Sequence, residues 1–252
     1  MAVLEADIPK IARESAAIYQ RWKPMIDRYH GGMPAALLAV RMWVESRGTD
    51  DQRIGSDTAT GVLSVTRNQE IRFGVPVDSR MVPENNVFLA AARNNVDTLL
   101  FTLRYPGLAR SLADAYVFGG QLVSAIGTGA AAYLFKRAPR GQTYDAFTKW
   151  VAAEAKAGRL PESGPWGSQS LAKIVERVRA MWTMNEAANR MQRDHGVSNR
   201  ASAPHIPPLP AGLGSFGVPK EIRGRIPLSR PLPPAVWLAV AVVAGLGAWW
   251  LS

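Results

Sequence analysis

Glu45 closes an apolar run that starts at Met33, and it is followed by Ser46 and then, two residues on, by Gly48. Breaking a glycosidic bond near neutral pH needs an acid to protonate the leaving oxygen, and an ordinary glutamate is ionised there. Burial among apolar groups raises a carboxyl pKa, and the partial negative charge of a helix C-terminus pushes the same way. Trp43 and Val44 supply the first influence and the end of the run the second, so Glu45 is the candidate general acid. The alternative is a surface carboxylate at a helix end, an unfavourable place for an acid without a role. Cysteine is absent, and His30, His195 and His205 are scattered without ligand spacing, so neither a metal site nor a cofactor is expected.

Three further short features follow Glu45-Ser46 in order: Ala59-Thr60-Gly61-Val62-Leu63-Ser64, Asn85-Asn86-Val87, and Ala115-Tyr116-Val117-Phe118-Gly119. Together they resemble the lytic transglycosylases of the goose-type-lysozyme-like superfamily. Glu45-Ser46 is similar to that family's Glu-Ser signature, and 59–64 to its Gly-Leu-Met-Gln stretch. Asn85-Asn86-Val87 is similar to its Asn-Ile element, and 115–119 to Ala-Tyr-Asn-x-Gly. The resemblance covers roughly Met33 to Gly120 and implies a lysozyme-like fold acting on peptidoglycan.

It further implies one glutamate serving as acid and then base, with the substrate's N-acetyl group assisting. The muramyl O6 then closes on C1, leaving a 1,6-anhydro end. None of Asp50, Asp51, Asp57 and Glu70 matches a family position, in keeping with a single carboxylate. Tyr116 would hold the Glu45 carboxyl through its hydroxyl, or else be an aromatic core residue. Asn86 would reach the cleft or cap its helix. Ser46 would support the Glu45 loop, and Gly61 and Ser64 would belong to the substrate-binding stretch. The chain departs from the pattern at Ser64, where the family has Gln, and at Val117, where it has Asn. Both changes remove polar reach toward a sugar.

The elements that must position these residues read as mainly α. Apolar spacing predicts a helix over Ile8 to Tyr29, bent near Pro24. A helix apolar on nearly every side is expected from Met33 to Ser46, ended by Gly48. Thr49 to Arg80 reads as an irregular, partly β-like loop region punctuated by Gly55, Gly61, Gly74 and Pro76. Pro83 opens a helix to Leu103. Shorter pieces follow over Leu108–Phe118, Gln121–Ile126 and Ala130–Lys136, then Thr143–Ala157 and Ser168–His195.

Composition changes sharply after residue 197. Nine of the chain's 18 prolines fall between Ser198 and Pro234, which predicts an extended spacer. Ala235 to Leu251 then carries no charge. Seventeen helical residues rise about 25 Å, at the short end of what spans a bilayer. Trp237 and Trp249-Trp250 lie at its two ends, as in an aromatic belt. A single-pass C-terminal anchor is expected there in preference to a buried core helix. The expected division is therefore a catalytic domain 1–197, a linker 198–234 and a transmembrane helix 235–251.

Arg223, Arg225 and Arg230 precede that helix, which keeps the domain on the cytoplasmic side. Met1 to Lys10 lacks the basic-then-apolar layout of a secretory signal. A virion protein, carried in or against a phage membrane and delivered to the wall on infection, reconciles that topology with a peptidoglycan substrate. Expected partners are glycan strands, the lipid bilayer and other virion membrane proteins. Net charge of +10 suits any anionic polymer, so nucleic acid is expected only as a non-specific partner. An inactive glycan-binding or structural module, and a membrane-tethered nucleic-acid-binding protein, are the competing functions.

Overall fold

A computed structural model describes residues 5–50, 59–211, 213, 216 and 217. The expected membrane helix, most of the spacer that precedes it, and Asp57 lie outside these residues. No helix among the described residues is long and apolar enough to cross a membrane.

The described chain is mainly helical, and its β structure consists of isolated bridges, among them Thr60–Val65 and Ala109–Gln142. Helix α1 runs over Ile8–Tyr29, and its periodic face (Ile11, Ile18, Trp22, Ile26) is buried. Pro24 sits inside it on the solvent side. The carbonyl of Gln20 that it leaves without an N–H donor therefore faces water, and the helix continues through it. Helix α2, Ala35–Ser46, is buried from Ala36 through Trp43. It ends with Gly48 N–H donating to Met42 O at 3.2 Å and Arg47 N–H to Trp43 O at 3.1 Å, which satisfies two of its last carbonyls. Arg47 (φ 59°) and the expected Gly48 (φ 71°) are both left-handed there. The Arg47 guanidinium lies 3.4 Å above the Trp43 ring and donates to Trp43 O, which offsets the conformational cost.

The stretch expected to be irregular contains helix α3, Arg67–Phe73, opened by a reciprocal capping box between Thr66 and Gln69. Within it, Glu70 is fully buried and paired with Arg80, and it accepts the backbone N–H groups of Asp78 and Arg80. Glu70 thus organises the 70–80 loop from within.

Helix α4, Pro83–Arg104, is central and buried on nearly all sides. Three expected short pieces form two helical runs. The first joins α5 (Leu112–Ala115), a π-helical segment Tyr116–Leu122 and α6 (Val123–Ile126), and the second is α7 (Thr128–Arg137). Gly119 and Gly120 let the π segment press onto α4. A Cβ on Gly119 would lie 2.8 Å from Thr98 Cα, and one on Gly120 2.5 Å from Asn94 Oδ1. Helices α8 (Tyr144–Lys156) and α9 (Leu171–His195) complete the domain, with α9 packed on α1 and α2. Phe101, Phe118, Phe135 and Phe147 form one aromatic cluster, with ring pairs 4.9 to 6.1 Å apart.

The start of the proline-rich segment is not a detached spacer. Ser198 O accepts the Ala36 N–H near the start of α2, and Ser202 and His205 donate to Gly32 O and Gly31 O, each at 2.9 Å. Pro34 precedes α2 and offers no capping side chain, so this strap satisfies a first-turn donor. Gly31 and Gly32 are required here: both have positive φ, and Cβ atoms would fall 2.6 Å from His205 O and 2.5 Å from Ala203 O. Ile206 and Leu213 are buried, and Phe216 stacks on Phe73 with centroids 4.9 Å apart. The domain's packing therefore extends well past residue 197.

Candidate active site

Three of the four sequence features meet at the C-terminal end of α2. Trp43 Nε1 donates to Glu14 Oε2 at 2.7 Å and Trp22 Nε1 to Gly48 O at 3.1 Å, so two indoles tie the end of α2 to α1. Ser46 Oγ donates to Val62 O at 2.8 Å, with Met42 O at 3.1 Å. That bond joins the residue after Glu45 to a tight turn closed by paired Thr60 and Val65 backbone bonds of 3.0 and 2.9 Å. Asn86, fully buried, holds the same turn from α4. Its amide donates to Thr60 O (2.8 Å) and Arg80 O (3.1 Å), and its Oδ1 accepts Leu63 N–H (3.0 Å).

Asn86 therefore neither caps α4, where Val82 takes the N-cap position, nor reaches into open space; it clamps the turn. Gly61 (φ 76°) and Ser64 (φ 49°) bend the turn, and a Cβ on Gly61 would fall 2.2 Å from Asn86 Nδ2. Ser46 links the Glu45 segment to that turn.

Glu45 differs from expectation. Its side chain is 36% exposed, so the apolar burial anticipated from Trp43 and Val44 is missing. Both neighbours point elsewhere, Trp43 toward Glu14 and Val44 against the core. Among the described residues its ion-pair partner is Arg41, one turn earlier, with Nε 3.8 Å from Glu45 Oε1. That is an ion-pair distance, too long for a hydrogen bond. Arg41 is buried, and its Nη1 has no hydrogen-bond partner among the described residues. Burial pushes the Arg41 pKa down, and the Glu45 carboxylate opposes that shift. The i, i+4 spacing of Arg41 and Glu45 was visible in the sequence, as a lone cation within an apolar helix.

Tyr116 is not brought to Glu45. Its hydroxyl donates to Asn95 Oδ1 at 2.7 Å and lies 3.4 Å from Ser202 O of the strap. A Cβ on Gly32 would sit 2.7 Å from that hydroxyl, so Tyr116 packs just before the start of α2, whereas Glu45 is next to its end. At a rise of 1.5 Å per residue the two groups are about 15 Å apart. Helix α4 gives a second ruler. Asn95, the partner of Tyr116, and Asn86, the clamp near Glu45, are nine positions apart in α4, a rise of about 13.5 Å. Tyr116 is fully buried, and burial raises its pKa well above the ordinary tyrosine value. It belongs to the core alternative. Val117, in place of the family's Asn, is buried too.

No group of His, Asp and Glu among the described residues is arranged to hold a metal ion. Neither a protein-family model, nor a curated protein, nor a solved structure matches the chain.

Proposed function

We propose that the chain cleaves peptidoglycan glycan strands as a lytic transglycosylase, with Glu45 as its single acid–base group. The observation that supports this most is the convergence of Glu45-Ser46, the 60–65 turn and Asn86 on one corner, through the Ser46–Val62 and Asn86–Leu63 bonds. That corner presents one solvent-reachable carboxylate at the end of a helix that packing holds rigid. Glu45 first gives its proton to the glycosidic oxygen as the bond to C1 breaks, while the N-acetyl oxygen bonds to C1. The carboxylate then takes the proton from the muramyl 6-hydroxyl as O6 replaces the acetamido oxygen. The products are an anhydro end and a free 4-hydroxyl, with no water consumed. Because Glu45 is partly solvated, a bound sugar must displace the water around it before it acts as an acid. The setting we propose is a virion protein tethered by its C-terminal segment and delivered to the host wall.

The position of Tyr116 favours one other reading, an inactive lysozyme-like module that binds glycan, since no tyrosine hydroxyl steadies Glu45. Zymography on peptidoglycan separates the two. The full chain is expected to clear the substrate and to yield anhydro-ended fragments, one water lighter than hydrolysed ones by mass spectrometry. Glu45→Gln should lower the rate by at least roughly 10²–10⁴-fold while leaving glycan binding intact. A variant that clears normally removes Glu45 from the chemistry, and hydrated ends alone make the protein a hydrolase.

A further inference from the structure

A second candidate site has a lining that does not include Glu45. A cavity of about 510 Å³ opens between α4 and the junction of α6 with α7, within the size range of small-ligand pockets. Three guanidinium groups line it, from Arg72, Arg93 and Arg104, against one carboxylate, Asp97. Both Asp97 oxygens are already engaged, Oδ1 by Arg72 Nη2 at 3.0 Å and Oδ2 by Arg93 Nε at 3.4 Å. Arg93 is further fixed by donating from Nη2 to Ser124 Oγ at 2.8 Å. Arg104 is exposed and has no ion pair among the described residues, so the lining carries two positive charges beyond what Asp97 neutralises.

The start of α7 adds a third feature of the same sign. Its N-cap is Gly127 (φ 86°), which has no side chain to cap the first turn, and Gly127 and Thr128 both line the cavity. Unpaired first-turn N–H groups and the positive end of a ten-residue helix face anions favourably. The rest of the lining includes Phe101 and Phe135, both buried. A cluster of fixed cations beside an apolar floor is matched by a ligand with both parts.

We infer that this cavity is a binding site for a small amphipathic oxyanion, a carboxylate or phosphate monoester attached to an apolar or aromatic group. Guanidinium pairs recognise either head through paired N–H donors, and the aromatic floor takes the body. The site does not depend on cleavage at Glu45.

Isothermal titration calorimetry on the full chain tests it with four probes: phenyl phosphate, 3-phenylpropionate, 3-phenylpropanol and inorganic phosphate. At least one of the two organic anions is expected to bind with Kd on the order of 0.1–1 mM, weakening with added salt. The uncharged alcohol and inorganic phosphate should each bind at least about tenfold more weakly. The tighter of the two organic anions identifies the head group. Arg104→Gln, an exposed change that breaks no ion pair, should weaken binding about tenfold without altering the circular dichroism spectrum. The proposal is overturned if neither organic anion binds, if the alcohol binds as well as the acids, if inorganic phosphate alone binds as well as phenyl phosphate, or if Arg104→Gln leaves affinity unchanged.

Discussion

Removing the Asn86 side chain should cost more than any one hydrogen bond, and the cost should depend on Gly61. In Asn86→Ala the buried Leu63 N–H loses its acceptor, a penalty of roughly 1–3 kcal/mol, and two amide bonds to carbonyls disappear, roughly 0.5–1.5 kcal/mol each. The sum is roughly 2–6 kcal/mol, and about 4 is expected. Gly61→Ala carries two penalties. A left-handed φ costs an alanine about 1–2 kcal/mol, and the new methyl meets Asn86 Nδ2 at 2.2 Å and Cγ at 2.6 Å. Both of those atoms are gone in Asn86→Ala, so the double variant retains only the conformational penalty. It should therefore be less destabilised than the sum of the singles by about 1–3 kcal/mol. Guanidinium-induced unfolding, followed by tryptophan fluorescence and circular dichroism, measures all three variants. Additivity within about 0.5 kcal/mol would show that the turn is not gripped by Asn86 as the geometry requires.

Two other perturbations test the surroundings of the site. His30 has its pKa lowered, chiefly by burial and secondarily by the nearby His205, while its contact with Met33 O and the charge of Asp27 oppose the shift. A histidine held below its ordinary value binds fewer protons folded than unfolded, so stability is full above about pH 6.5 and declines as pH falls toward the lowered value. Thermal unfolding across pH 5–7.5 should show that decline, and His30→Asn should flatten it; an unchanged slope would assign the loss to other groups. Arg41→Met replaces a buried guanidinium by an apolar chain of similar length, which should leave stability unchanged or raise it by up to about 4 kcal/mol. Cleavage by the same variant should fall several-fold, because Glu45 loses the cation beside it. Destabilisation by more than about 1 kcal/mol would mean that Arg41 is an integral part of the core.

Much of the fold was legible because it is set by local pattern. Helix α1 spans the residues its apolar period marks, and α4 ends one residue past expectation. Helix α3 was legible but overlooked. Thr66 and Gln69 are a capping box in plain sequence, but only Ile71 and Phe73 offer an apolar face. The rest depended on partners distant in sequence. The prolines after Ser198 indicate an extended backbone, which the strap has, but not that Gly31 and Gly32 present carbonyls for it to pair with. Tyr116 looked like a site residue because its neighbours in sequence resemble a motif. Its hydroxyl is claimed instead by Asn95, and Gly119 and Gly120 are there to bring the π segment against α4. Glu70 looked like a loop carboxylate, and only Arg80, ten residues later, makes it an internal one.

The same comparison narrows what can position Glu45. With Tyr116 about 15 Å away, the residues that fix the carboxylate are those of its own helix and the turn beside it. Ser46 and Asn86 fix the backbone, but neither touches the carboxyl group. Among the described residues Arg41 is its ion-pair partner, at a distance that leaves the carboxylate attracted but not hydrogen-bonded. Keeping a guanidinium buried with one nitrogen unpartnered costs several kcal/mol, which an apolar residue in that otherwise apolar helix would avoid. Such a cost concentrates where a side chain serves a site. Here the service is electrostatic. In the proposed reaction Arg41 is the cation beside the carboxylate that receives the proton from O6. Binding energy from remote sugars helps hold the reacting bond at Glu45 in the proposed reaction, so a shortened glycan should lose rate as well as affinity.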